Sequence, residues 1–282
     1  MGLAVHTITR PEIAGTDRHP RRVAASFIAA APYRAHAIPL PPDLWRGHSL
    51  LRVVYRGVEC VAALVVLLLA APILLLEAIL IRLDSPGPAL FWQRRVGQSV
   101  VRRGREIMNR EDLVPPEGGF QPEALYLVPQ TINFVKFRTM YVDARERFPE
   151  SYEFNFPSRE AFLASYYKRE TDPRVTRVGR FFRRTTLDEL PNLLLVVTGA
   201  MRLIGPRPEG PWFVPYYSPE EMLKFAVSPG VTGLAQCSGR GQLQIGEQLA
   251  YDLEYVRRRS VWLDLQILVN TFLSVLRRRG AF

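Results

Sequence analysis

Hydrophobic positions are spread unevenly along the chain, and one run dominates: VECVAALVVLLLAAPILLLEAILI, Val58 to Ile81. Its charge-free heart, Cys60 to Leu76, would measure roughly 25 Å as a straight helix, short of the ~30 Å hydrocarbon core of a bilayer. Glu59 and Glu77 bracket that heart, and Pro72 inside it removes a backbone donor and bends the helix. Arginine flanks both ends, Arg46, Arg52 and Arg56 before and Arg82, Arg94 and Arg95 after. The charge bias that separates the two faces of a spanning helix is therefore missing. A helix that dips into the membrane, bends at Pro72 and returns to the same face accounts for all of these features. A tilted spanning helix with polar ends is the alternative, and a buried soluble helix fits so continuous an apolar run less well.

Elsewhere the pattern is weaker. Residues 1–50 are rich in Pro, Ala and Arg without a sustained period, which predicts an extended, weakly ordered arm. The arm has no apolar h-region, and His6 stands where a myristoylation motif needs Ser or Thr, so neither targeting signal is expected. The stretch from Gln98 to Gln130, with RRGRE and VPPEGGFQPE, reads as a loop or insertion. From Thr131 onward short helical and extended segments alternate, with no phosphate loop or dinucleotide fingerprint. The final SVWLDLQILVNTFLSVLRRRGAF is apolar on most turns but interrupted by Asp264 and Asn270, which suits a helix lying in the membrane interface or packed on the core. The expected fold is α+β, mainly α with small β elements, in three parts: the arm 1–50, the membrane helix 51–84, and a domain 85–282 carrying the insertion at about 98–130.

Charge adds a partner class. With 37 Lys+Arg against 27 Asp+Glu the chain carries +10, which favours an anionic ligand, whether phosphorylated substrate, acidic lipid or nucleic acid. Only Lys136, Lys168 and Lys224 are lysines, so part of the arginine load reflects composition rather than phosphate recognition. The lone Cys60 and Cys237 imply neither a disulfide framework nor a cysteine metal site. His6, His19, His36 and His48 all fall in the arm, which argues against a Ser-His-Asp triad, an H-E-x-x-H zinc site or a Cys-His pair in the main body. Chemistry there must rest on carboxylates, hydroxyls, basic groups or an oxygen-bound metal.

The candidate chemistry centres on RRTTLDELPNLLLVVTGA, Arg183 to Ala200. With Thr186 as N-cap, Glu189 falls at the third helical position and completes a capping box. Pro191 equally allows a tight turn over Asp188 to Leu190 with a new helix starting at the proline. In both readings the adjacent carboxylates lie near a helix start, and neighbouring helical positions point about 100° apart, so they serve different partners. FVKFRTM places Lys136 and Arg138 on one side of a strand-like alternation, able to grip one diphosphate or to form a solvated basic face. GPRPE holds Arg207 between two prolines, stiffening its backbone. SPGVTGLAQCSGRG is a glycine-rich loop ending at Arg240, through which backbone could approach a nucleotide or which could simply connect.

In order, a hydrophobic segment with an internal Pro, LDSPGP, FVKFRTM, DPRVTRVGRFFRRTTLDELPNL, LIGPRPE, PGVTGLAQ and YDLEYVRRRSVWLDLQIL span about Arg56 to Leu276. Together they resemble the bacterial sugar transferase family, the monotopic polyprenyl-phosphate phosphoglycosyl transferases. The resemblance implies a re-entrant membrane helix with interfacial helices, an active site on the cytoplasmic face of the bacterial inner membrane, and magnesium (Mg2+). It also implies a UDP-sugar donor, a polyprenyl phosphate acceptor, and an Asp-Glu dyad in which Asp188 attacks the sugar diphosphate. Glu189 would then hold magnesium or assist proton movement. By motif position Lys136, Arg138, Arg183, Arg207 and Arg240 are candidates for phosphate or uridine contact. Membrane lipids are expected partners, nucleic acid is not, and homodimerisation is left open.

The chain departs from the family pattern at several points. Glu59 stands where Asp is usual and Ala71 where Ser precedes the bending proline; GAMR replaces Gly-Asp-Met-Ser; the glycine-rich loop differs; and the insertion is long. These motivate one alternative, a membrane scaffold that kept the fold and lost activity. The net charge motivates another, a basic membrane-associated nucleic-acid binder, though no reader motif is present.

Overall fold

The structure is a computed structural model and describes residues 34–41, 50–152, 154–166, 171–239 and 242–276. In chain order the elements are β1 (Ala35–His36), β2 (Ile38–Pro39), α1 (Leu50–Asp84), β3 (Leu90–Val96), β4 (Val100–Arg103), α2 (Gly104–Ile107), β5 (Leu113–Val114), β6 (Leu125–Val128), β7 (Thr131–Phe137), α3 (Ala144–Arg147), α4 (Arg159–Leu163) and α5 (Arg177–Thr185). A 3-10 turn over Leu187–Asn192 then leads into α6 (Leu193–Thr198), β8 (Arg202–Ile204), β9 (Gly230–Thr232), α7 (Leu234–Gly239), α8 (Ile245–Arg258) and α9 (Val261–Leu276). Helices and small sheets are mixed, with one long apolar helix, as the sequence pattern predicts.

The sheets are small. β3 pairs antiparallel with β7 from Leu90↔Phe137 to Val96↔Thr131, forming the ribbon beneath the carboxylate turn. β8 and β9 pair in parallel, Arg202↔Gly230 and Ile204↔Thr232. Their glycines are required here: a Cβ on Gly230 would lie 2.1 Å from the Gly205 nitrogen, so two loops press backbone against backbone.

The stretch predicted as a loop insertion is structured, and the arm enters it. β2, β6 and β4 form a three-stranded sheet in that order, and β1 pairs in parallel with β5. The extended reading of the arm holds at residues 35–39, but Ala35, Ala37 and Ile38 are buried, so hydrophobic burial recruits a segment whose composition alone suggested a weakly ordered tail. Residues 1–33 and 42–49 of the arm lie outside the described residues. Beneath this sheet an aromatic core of Phe154, Phe156, Phe162, Phe213, Tyr216 and Tyr217 joins the insertion to α4 and α8.

α1 runs as one helix through Pro72. One stripe of it is sheltered along the whole length: Tyr55, Glu59, Ala63, Leu67, Ala70, Leu74, Glu77, Ile81 and Asp84. That spacing of three and four residues is a single helix face. It packs first on α6 and β8, then on α5 and the 3-10 turn. The remaining faces carry exposed apolar residues, among them Val61, Leu68, Leu69, Ile73, Leu75 and Leu76.

Two polar ties fix this helix. At its start, Glu59 accepts from Arg202 Nε at 2.7 Å and from the Leu203 amide at 3.3 Å, while the Arg202 guanidinium stacks 4.9 Å over Tyr55. Asp264 of α9 accepts from Tyr55 at 3.0 Å and Tyr255 at 2.9 Å, so α9 is fastened beside the same end. At its other end Asp84 accepts from the Val178 amide at 3.2 Å, placing negative charge at the N-terminus of α5. Glu59→Ala should therefore leave a part-buried guanidinium without its partner and cost about 1–3 kcal/mol, discounted because Arg202 stays partly exposed. A double-mutant cycle with Arg202→Ala, read by thermal unfolding in detergent, should show positive coupling between the two side chains.

Candidate active site

The site forms where the 3-10 turn lies across the β3–β7 ribbon. α5 delivers the chain to it: Thr176 caps the helix by accepting from the Gly179 amide at 3.0 Å, and Gly179 has no side chain because a Cβ would lie 2.1 Å from the Thr139 carbonyl oxygen. The helix ends at Thr186, whose φ of 62° makes it the non-glycine residue with left-handed backbone among the described residues. A β-branched residue in that region is costly, and the strain sits two residues ahead of Asp188.

Neither sequence reading of that pair is complete. The turn does run 3-10 through Pro191 into α6, close to the second reading. The capping box does not form: the Thr186 side chain makes no cap bond, and the Glu189 carboxylate turns away to Arg207. Arg207 donates Nη1 to Oε2 at 3.0 Å and Nη2 to Oε1 at 2.5 Å, a two-bond fork. Burial pulls the guanidinium's pKa down, but Glu189, followed by Glu209 and Asp188, outweighs this and the net direction is upward. Asp188, one residue earlier, is 6% exposed and points to a different side.

Arg207 is held from every side. The Gly205 amide donates to Thr232 O and the Gly230 amide to Pro206 O, both at 2.9 Å, and Arg95 Nη1 reaches Pro208 O at 3.0 Å. Glu209 exchanges both backbone bonds with Val96 and sends its carboxylate to Lys224 Nζ at 2.8 Å. Lys224 also meets Asp252 of α8 at 2.9 Å, so a lysine 1% exposed is balanced by two buried carboxylates.

Lys136 lies on β7 beside the turn, its ammonium 5.8 Å over the Phe91 ring. Burial depresses its pKa to about 8, against the raising influence of Asp188; Arg95 and Arg183 push the same way as burial. The site therefore gathers Asp188, Glu189, Lys136, Arg183 and Arg207. Arg183 is partly buried and 3.7 Å from Asp172, which Arg174 also binds. Arg138 goes elsewhere. Its Nε donates to Pro88 O at 2.7 Å, Nη1 to Ser85 Oγ at 2.7 Å and Nη2 to Ser85 O at 2.8 Å, so its guanidinium knits the LDSPGP turn. β7 ends at Phe137, and the alternation that put Lys136 and Arg138 on one side stops there. Arg240 lies outside the described residues. Sequence reasoning passed over Arg95, whose signal was the basic end of FWQRRVG, and Glu77, which was read only as the edge of the apolar run.

The sequence profile of the bacterial sugar transferase family matches residues 50–106 and 123–278, and the chain belongs to that family. It is 35% identical over 235 residues to a UDP-glucose:undecaprenyl-phosphate glucose-1-phosphate transferase of Caulobacter vibrioides, covering 80% of this chain and 71% of that protein. An Escherichia coli protein of the same description is 33% identical over 239 residues, covering 82% of this chain and 42% of its own length. The exopolysaccharide production protein ExoY of Rhizobium meliloti is 31% identical over 227 residues, 80% of this chain and 87% of that protein. Against an undecaprenyl-phosphate glucose phosphotransferase of Komagataeibacter xylinus, the 34% identical match spans only 36% of the relative.

Because Lys136 loses its charge as pH rises through about 8, binding of a nucleoside diphosphate should weaken over that range. Calorimetry with UDP should show the weakening in the wild type and not in Lys136→Arg, whose guanidinium stays charged.

Proposed function

We propose that the protein transfers a sugar 1-phosphate from a UDP-sugar to polyprenyl phosphate, releasing UMP, through a covalent phosphosugar on Asp188. The single observation that carries this reading is the division of labour within the dyad. Glu189 is clamped to Arg207, while Asp188 is buried beside it within the field of Lys136, at the foot of a long apolar helix. The names of the relatives, with UDP-glucose as donor and undecaprenyl phosphate as acceptor, support the same reaction class.

In the first step an Asp188 oxygen attacks the sugar-bearing phosphorus. The bond from that phosphorus to the bridging oxygen breaks, and UMP departs with the electron pair. In the second, a phosphate oxygen of the lipid attacks the same phosphorus, the acyl phosphate bond breaks, and the Asp188 carboxylate is restored. Such transfers depend on positioning and charge neutralisation, which Arg207, Lys136 and Arg183 supply. The fork to Glu189 keeps the Arg207 guanidinium in one orientation through both steps. Magnesium bound here would neutralise phosphate oxygens. It needs only one or two carboxylates plus substrate oxygens, a requirement Asp188 begins to meet without a dedicated cage. Glu189, the magnesium ligand of the dyad reading, has both oxygens on Arg207 and serves first to fix that group.

Meeting a lipid and a water-soluble nucleotide sugar at one carboxylate requires a site at the membrane surface. The sheltered stripe of α1, which touches the same domain from Tyr55 to Asp84, supports a helix that enters and returns on one side. Exposed Trp262, Val269 and Phe272 on α9 and Phe181 on α5 support apolar contacts in the interface. We place the protein at the bacterial inner membrane with its site on the cytoplasmic face, where UDP-sugars are made.

Asp188→Asn should abolish exchange of labelled UMP into UDP-sugar without lipid acceptor, and lower glycolipid formation at least about a thousandfold. Glycolipid made by that variant at the wild-type rate would rule out the covalent route.

A further inference from the structure

Glu77 is a buried carboxylate that the proposed chemistry leaves unused. It is 1% exposed, and neither of its oxygens has a hydrogen-bond partner. On α1 it lies between Leu74 and Ile81, three residues before and four after, so it belongs to the helix face that packs on the domain. What meets that face is apolar: Val178 and Phe182 from α5, Phe137 from β7, Ala89, and Leu187 from the 3-10 turn. The charge acting on Glu77 from these elements is that of Asp188, the residue after Leu187. The two carboxylates thus repel each other across the seam where α1 packs on the turn. Burial and mutual repulsion both disfavour this arrangement, and no donor from the protein relieves it at Glu77.

Such a pair is what an oxygen-seeking divalent cation stabilises. Magnesium takes one or two carboxylates and completes its shell with water and phosphate oxygens. Glu189 is poorly placed to be the second carboxylate, since both its oxygens accept from Arg207 and a cation there would have to break the fork. Glu77 has no such commitment.

We propose that Glu77 and Asp188 together hold the divalent cation, seated between the membrane helix and the carboxylate turn, with Glu189 left to Arg207. The inference rests on the transferase reading for the purpose of the cation, though not for its location. Through this contact the membrane helix would supply a ligand to the reaction centre as well as an anchor.

The test uses the full chain in lipid nanodiscs with Mn2+ alone as probe, without nucleotide sugar, followed by calorimetry and by the EPR signal of free Mn2+. Wild type should bind one ion in competition with Mg2+. Glu77→Gln should weaken binding at least about tenfold, whereas Glu189→Gln should change it far less. Thermal unfolding gives a second readout: without metal, Glu77→Gln should melt at or above the wild-type temperature because the opposed carboxylate is gone, and a given Mn2+ concentration should raise the melting temperature of wild type and Glu189→Gln more than that of Glu77→Gln. Wild-type affinity in Glu77→Gln, an equal loss in Glu189→Gln, or no binding by wild type at millimolar Mn2+ would each overturn the proposal. If Glu77-dependent binding is found while no donor yields UMP, the transferase reading fails and the cation site stands. Glycolipid formation with metal binding unmoved in Glu77→Gln gives the converse.

Discussion

The geometry of the site depends on one ion pair, the fork between Arg207 and Glu189. A guanidinium offered to a diphosphate is useful only if it is held where the phosphate arrives, and a long side chain alone would lose that position to rotamer entropy. Here the backbone of residues 205–209 is bonded to β9, to β3 and to Arg95, and the Lys224 cluster locks the far side of the loop. The fork then settles the Arg207 side chain and engages both oxygens of Glu189. Asp188, buried next to Glu189, lies within the field of Lys136, whose positive charge opposes the cost of keeping a carboxylate buried.

Much of this was legible in the chain. The apolar run and its bracketing glutamates announced α1, and the dyad stood out because no histidine lies beyond the arm and the two cysteines stand apart as single residues. Arg207 was singled out correctly as a stiffly held group, since prolines on both sides constrain the backbone whatever the tertiary context. The destination of Glu189 was not legible. A Thr-x-x-Glu pattern encodes a capping box locally, but a guanidinium from a distant loop offers two charged hydrogen bonds against one backbone amide, and the stronger partner wins. Arg138 bonds to Ser85 and Pro88 for a related reason: strand alternation predicts a side only while the strand lasts, and this one stops a residue earlier. Glu77 was visible only as a boundary, because hydropathy records where a charge interrupts a run and not which face it occupies.

The departures from the family pattern also change meaning once seen in space. Glu59 and Arg202 are 143 positions apart, and each taken singly looks like a loss. Together they form a close pair, stacked on Tyr55 and adjoining the Asp264 cluster that ties α9 to the start of α1. The helix is thus fastened by charge at one end and by the Asp84 cap at the other, with apolar packing between.

The pairing of β1 with β5 has a bearing on how this protein could be recombined. Ala35 and His36 precede the region shared with the family, while Leu113 and Val114 fall within the interval 107–122 that the family profile skips. Two pieces of sequence outside the family profile, separated by the whole of α1, therefore pair with one another. A chimera that grafts only the internal piece onto a relative would carry half a joint, with an apolar seam open to water. Swapping must move both segments or neither.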